Sequence, residues 1–475
     1  MNTSPKSLLS EVPDVEAVLA DFVAGLTLDG LAPAIVQKAR LCLTDGIGAS
    51  MTLVRSQEAL HALASLGGAR VDSRALVLGV PRRERAADAA FVNAIAAAAT
   101  IRTDTHAPSA SHPGMVVLPV VLALGEECGA SASDLLCAIV AGYEVSIRLG
   151  LALVTPAVSR IFRPTGLTGA VGAAAAGARV LGLDTHATRA AMALAANTAS
   201  GLNEWARAGT SEHVFHAGTA ARNAIVAVEL ARAGAQAAPR SLSGLAGLLA
   251  AYGAIERAGV LTDQLGKRFH MLDVIHKLAP ACIFAQAPCQ AALKLALQDR
   301  ITPEEIARVD IGVAGVAAVF PGCDFSGPFS NPAAAQQSIQ FGVASVLCAS
   351  AIDEIHWAQP RNLQVNELAT RCHVTVDPGI DAGYPQRLGA SISVRTINGE
   401  TLRDSVPDAT PMSMQAIEAR FTNDARPLLG EEGATRLLEA IRTLGSRCSS
   451  QSLFEQLAER PLQGCTGIPA HSSIS

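Results

Sequence analysis

Apolar residues recur at helical spacing from Glu16 to Leu272, and short polar or glycine-bearing breaks divide the runs. The spacing predicts helices over Glu16–Leu26, Ala32–Met51, Ser56–Leu66, Ala86–Ala99, Met115–Gly125, Ser133–Leu153 and Thr185–Gly201. Gly209–Gly218 reads as a polar break, with a helix over Thr219–Gly234 behind it. Ala75–Leu78 is short enough for a strand or an extended link. Gly169, Gly172, Ala173, Ala176 and Gly177 put small residues on one side of a helix, so a neighbour can approach closely. The texture changes after Lys277. Val309–Val313, Cys372–Val376 and Ala390–Ile397 alternate as strands do, and Asn398-Gly399 signals a hairpin turn. Ala287–Leu297 and Asn331–Leu347 read as helices. From Ser413 to Leu444 the chain is helical again, and a polar, mobile tail follows. The prediction is a mostly α fold: a large all-helical domain, residues 1–272 plus 408–475, with a smaller α+β lid domain, residues 273–407, inserted into it. The cleft between the two is the default ligand site.

Composition narrows this. The chain has 475 residues, more than one hydrophobic core usually supports. Hydrophobic residues make up 49% but aromatics only 4%, so Ala, Leu, Val and Gly dominate, which favours close-packed helices. The net charge of -5, without a basic run, argues against nucleic acid or an anionic membrane as partner. Met1–Glu11 has no hydrophobic signal region. No membrane span stands out: Ala86–Ile101 contains Asp88 and Asn93, and Gly166–Leu183 is mostly Gly and Ala. The 10 cysteines are scattered without a C-x-x-C pair, as for buried thiols of a reducing compartment. A cytoplasmic location is expected.

Candidate chemistry gathers in Ile101–Glu126. Arg102, Thr103, Asp104, Thr105 and His106 form a polar cluster, and a loop then leads through His112, Pro113 and Gly114 into an apolar helix. His112 is thus expected at a helix N-terminus, where free N–H groups and the helix dipole favour an anion. No H-E-x-x-H, G-x-S-x-G or dinucleotide fingerprint occurs. No metal or cofactor is therefore expected.

Several separated stretches resemble one family. DTHAPSASHPGMVVLPVVLALGE, FRPTGLTGAVGAAAAGARVLGLD, FHAGTAARNAIVAVELARAG, HKLAPACIFAQAPCQAAL, NPAAAQQSIQFGVASVL and DATPMSMQAIEARF are similar, in order, to signatures of the MmgE/PrpD family of 2-methylcitrate dehydratases and cis-aconitate decarboxylases. The resemblance covers nearly the whole chain. It implies a helical domain with an inserted α+β lid, and a cofactor-free homodimer acting on small polycarboxylates by dehydration, decarboxylation or epimerisation. Asp104, Thr105, His112, His216 and Lys277 match the family pattern. Three places depart from it. Relatives carry D-F-D-D-T where this chain has Ile101-Arg102-Thr103-Asp104-Thr105. They carry His where Arg163 stands, and Lys where His213 stands.

These residues suggest roles. Arg102 and Arg163 are candidates to hold substrate carboxylates bidentately. His112 is the first candidate for proton transfer and His213 the second, because His titrates near neutrality. Lys277 would pair a carboxylate, or donate a proton if burial lowers its pKa. Asp104 and Thr105 complete the catalytic set, and Thr165 and His216 would orient the substrate. The expected function is a lyase, a hydro-lyase or decarboxylase of a di- or tricarboxylic acid. The alternatives are a dicarboxylate isomerase or epimerase, and a non-catalytic polyanion-binding relative.

Overall fold

The computed structural model describes residues 14–68, 73–299, 301–352 and 354–459. The fold is mostly α, as the apolar spacing predicts. Its helices begin where side chains satisfy the free N–H groups: Ser131 accepts from Asp134 N, Asp184 from Ala187 N, and Ser413 from Ala416 N. The middle of the helical part is the pair Ala132–Leu153 and Pro164–Val180, which pack along each other. A Cβ added at Gly172 would lie 2.7 Å from the Gly142 carbonyl oxygen. The glycines are what let these two backbones touch. Around the pair stand Gly114–Cys128, Ala86–Ala99 and His213–Arg232, with Pro33–Leu53 packed against Met414–Thr443.

Buried apolar side chains form two separate clusters. One draws on residues between Val15 and Val274 and returns through Phe421–Leu457. The other runs from Ala279 to Val394. The second is built on a four-stranded sheet. With β1 (Ala75–Val77) and β2 (Arg82–Glu84) forming a small ribbon in the helical part, the sheet comprises β3 (Ile306–Val313), β4 (Cys372–Val376), β5 (Ala390–Thr396) and β6 (Thr401–Val406). Their order is β4-β3-β5-β6. β3 pairs parallel with β4 and antiparallel with β5. β5 and β6 form the hairpin expected at Asn398-Gly399, with Gly399 at φ 86°.

Four expectations need correction. The helical part is not purely α, because it holds the β1–β2 ribbon. The polar break at 209–218 is largely helix: the helix starts at His213. Packing decides this, since a Cβ at Gly218 would meet Ile95 at 2.7 Å, so the small residues of this turn seat it on Ala86–Ala99. Asn331–Leu347 is two helices, Pro332–Gln337 and Ile339–Ala349, separated at Ser338, which caps the second. The tail after Leu444 contains the helix Ser450–Leu457, held by buried Leu453 and Leu457; residues 460–475 lie outside the described residues. One helix, Ala132–Leu153, is long and apolar enough to cross a membrane, though it was not among the stretches the composition pointed to. Nearly all of its apolar window is buried against the other helices.

Candidate active site

A cavity of about 160 Å³ lies where residues flanking the two apolar clusters meet. Its wall includes Thr103, Thr105, His112, Arg163, Thr165 and His213 from the helical part, with Lys277, Cys282, Phe284 and Gln337 from the segment beyond. Six expected site residues thus share one wall: Thr105, His112, Arg163, Thr165, His213 and Lys277. No Asp or Glu lines it among the described residues.

The loop before Gly114–Cys128 positions the first group. Ile101 is left-handed at φ 50°, a conformation a β-branched side chain rarely adopts. Its carbonyl accepts from Lys277 Nζ at 2.8 Å. Thr105 joins the far segment directly, exchanging backbone hydrogen bonds of 2.8 Å with Ile275 in both directions. His112 Nδ1 lies 2.8 Å from Thr105 Oγ1 and 3.1 Å from the Asp104 carbonyl oxygen. A carbonyl oxygen can only accept, so these partners assign the ring proton to Nδ1 and leave the Nε2 lone pair free. Burial, then Lys277 and Arg163, hold His112 well below the usual histidine pKa. The neutral form expected for this ring is therefore present, but burial and two cations enforce it, rather than the helix end.

That helix end already has a carboxyl partner. Gly114 N–H donates to Asp104 Oδ1 at 3.1 Å, and Tyr143 donates to Asp104 Oδ2. Burial raises the Asp104 pKa. Asp104 does not line the cavity; the structure places it at the helix start as a cap, behind the wall residues His112 and Thr105. Arg102 is also displaced from its expected task. Its guanidinium holds both Glu354 carboxylate oxygens at 2.8 and 2.9 Å and pairs with Asp424. With its charge already neutralised and its side chain outside the cavity, it has no free fork for a substrate carboxylate. His216 is off the wall as well. Its ring packs on Gly201, and burial followed by Arg163 lowers its pKa to about 4.

Arg163 stands in a different environment. It is 9% exposed and donates to the His213 carbonyl at 2.6 Å. It approaches Met115 Sδ at 3.7 Å and sits 5.8 Å from the centre of the Trp205 ring. No carboxylate pairs with it among the described residues, and burial lowers its pKa to about 10. Lys277 is similar: 3% exposed, without an acidic partner at ion-pair distance among the described residues, and lowered by burial to about 8. His213 stacks on Trp205 with ring centres 4.0 Å apart. Among the described residues neither of its ring nitrogens has a well-formed hydrogen-bond partner, and burial, then Arg163 and His216, hold its pKa well below the usual histidine value.

Several wall residues escaped the sequence reading, among them Trp205, Gln337 and Cys282. Cys282 was grouped with inert buried thiols, yet it lines the cavity five residues after Lys277. Cys323 Sγ lies 3.7 Å from its sulfur and the Gln337 amide nitrogen 3.5 Å from it. The signal was its place in the same short segment as Lys277. The nine described cysteines are all free, but they are not all buried: Cys128 is exposed and Cys348 and Cys448 are partly so. A group able to hold a metal ion also exists among the described residues. Ligand atoms of His106, His270 and Asp273 lie within 4.8 Å of one another, though none of the three lines the cavity and Asp273 also receives Arg268.

Comparison with known proteins fits this architecture. The MmgE/PrpD N-terminal domain matches residues 17–258 and the MmgE/PrpD C-terminal domain residues 279–445. The chain belongs to the MmgE/PrpD family. Among its MmgE/PrpD relatives, the human cis-aconitate decarboxylase is 28% identical over 454 residues, 90% of each chain. The mouse cis-aconitate decarboxylase is 26% identical over 453 residues, 90% of this chain and 89% of its own. A cis-aconitate decarboxylase-like protein of Aspergillus oryzae is 29% identical over 229 residues, 46% of this chain and 47% of its own.

Proposed function

We propose that the protein is a lyase that removes water or carbon dioxide from a small di- or tricarboxylic acid bound in this cavity. One observation carries the reading: Arg163 and Lys277 are buried cations on a wall without a carboxylate among the described residues. A buried cation without a counter-ion costs free energy, and an entering polycarboxylate offsets that cost. Names of the relatives, cis-aconitate decarboxylases, support the substrate class. In this reading residues 273–407 form a lid over the cavity, and the enzyme is a cytoplasmic homodimer that needs no cofactor.

The chemistry follows from charge. Loss of a proton or of carbon dioxide beside a carboxylate leaves an electron pair that spreads onto that carboxylate. Arg163, as a bidentate donor, and Lys277, as a point charge, stabilise it in a site shielded from water. His112 handles the proton at carbon. At rest its Nε2 lone pair is free, so it acts as a base. When substrate neutralises Lys277 and Arg163, the two charges that disfavour imidazolium weaken, and the ring gains a proton it can return. Thr105 and Thr165 keep the loop in register, the latter accepting from His112 N at 3.3 Å.

The test is a thermal-shift panel of citrate, methylcitrate, aconitate isomers and tartrate, followed by mass analysis of every stabilising acid. Loss of water or carbon dioxide from a stabilising acid supports the reading. Stabilisation by none of them overturns it.

A further inference from the structure

Two protons move when water leaves a hydroxy acid: one from carbon, one onto the departing oxygen. His112 accounts for the first. We propose that Cys282 is the second proton-transfer group of the cavity, the acid that protonates the leaving hydroxyl. This rests on the lyase reading above and deepens it.

The position and partners of the thiol support the assignment. Cys282 lies on the wall with Lys277, in the segment opposite in sequence to the His112 loop, and is 8% exposed. An acid must leave a stable conjugate base, and the surroundings are built to hold a thiolate. Cys323 donates to Cys282 Sγ at 3.7 Å, and the Gln337 amide, which also donates to the Pro321 carbonyl at 3.2 Å, lies 3.5 Å from both sulfurs. Gln337 is buried and shares the wall. The hydrogen bond from Cys323, the backbone at Phe284, the Lys277 charge and Gln337 together pull the Cys282 pKa down against burial. Cys323 moves the opposite way, raised by burial, by Cys282 and by Asp324, so it stays the donor of the pair. Among the described residues the remaining buried thiols, Cys42, Cys137, Cys289 and Cys372, are all pushed up by burial.

The step balances. His112 Nε2 takes the proton from the carbon next to a carboxylate, and the C–H electron pair becomes the new C=C bond. The C–O bond breaks, the Cys282 S–H proton moves to the departing oxygen, and water leaves. The Cys282 thiolate remains, held by Cys323, Gln337 and Lys277, and recovers a proton from solvent as the imidazolium releases one.

Cys282→Ser and Cys282→Ala test this in the full-length protein. Citrate dehydration is followed through the ultraviolet absorbance of aconitate, alongside iodoacetamide alkylation mapped by mass spectrometry. Both variants should lose turnover by about 10²–10³-fold, with Ala no better than Ser, while citrate protection against thermal unfolding stays within about twofold of wild type. Iodoacetamide should modify Cys282 faster than Cys289, and citrate should slow it. The alkaline limb of the citrate profile should move when Cys323→Ala removes a donor to the thiolate. A Cys282→Ser enzyme that dehydrates citrate at the wild-type rate overturns the proposal and leaves the lyase reading intact. Cis-aconitate decarboxylation without dehydration of any hydroxy acid also overturns it. A protein that binds no polycarboxylate removes both.

Discussion

Replacing Arg163 with Met separates a binding cation from a structural one. The fall of the Arg163 pKa to about 10 corresponds to a burial penalty of about 3 kcal/mol on the charged guanidinium. Met would remove that penalty. It would also remove the bond to the His213 carbonyl, worth about 1.5–3 kcal/mol for a charged donor. The contact with Trp205 adds about 0.5–1 kcal/mol. The terms nearly cancel, so Arg163→Met should melt within a few degrees of wild type. Polycarboxylate affinity should behave differently. A charge-assisted pair lost to the ligand costs about 1.5–3 kcal/mol, so affinity should fall roughly 10- to 100-fold. Arg163→Lys, which keeps the charge but not the fork, should fall between them. Thermal melting and calorimetric titration with citrate on the same preparations give both numbers. A strongly destabilised Arg163→Met that still binds citrate with wild-type affinity would refute the reasoning, because the guanidinium would then serve the fold and not the ligand.

Three further outcomes follow from the same geometry. His112→Asn should stay folded and lose ~10²–10⁴ in turnover with a much smaller loss in binding; unchanged turnover in a folded variant would remove His112 from the mechanism and turn attention to His213. Arg102→Met should do the reverse. It leaves Asp424, already raised to about 6 by burial, without its partner, so stability should drop by about 3 kcal/mol while turnover per folded molecule is kept; a melting curve and an activity assay on one sample check both. Polycarboxylate affinity should be greatest below pH 8 and fall as pH rises through it. Lys277, lowered to about 8, is a cation only on the acidic side of that value; an affinity flat from pH 7 to 9.5, measured by calorimetry, would contradict this.

The helices were legible because burial leaves a 3.6-residue signature, and the close pair was legible in its glycines. The turn at His213–Gly218 was not, since its polar letters read as a loop while its small residues were committed to packing on Ala86–Ala99. In the cavity, His112, Arg163 and Lys277 were reachable through the motif pattern. Arg102 was misread for a definite reason. Its partners, Glu354 and Asp424, lie 252 and 322 positions away, and ion pairing across such spans leaves no local mark. Asp104 was legible only in part: an acid beside a helix start is also a cap, and Gly114 N–H donates to it. Cys282 was missed because a thiol without a C-x-x-C neighbour looks inert until Cys323 is seen beside it.

The central claim is that Arg163 and Lys277 hold a polycarboxylate while the cavity takes a small group from it. Its most direct measurement is the reaction itself. Purified protein is incubated with cis-aconitate and with citrate, the products are resolved by mass spectrometry, and Arg163→Met and Lys277→Met are run beside the wild type at equal folded concentration. The account predicts loss of carbon dioxide or water from at least one acid in the wild type, and at least tenfold slower loss in each variant at sub-saturating substrate. Wild-type turnover in both variants would contradict it.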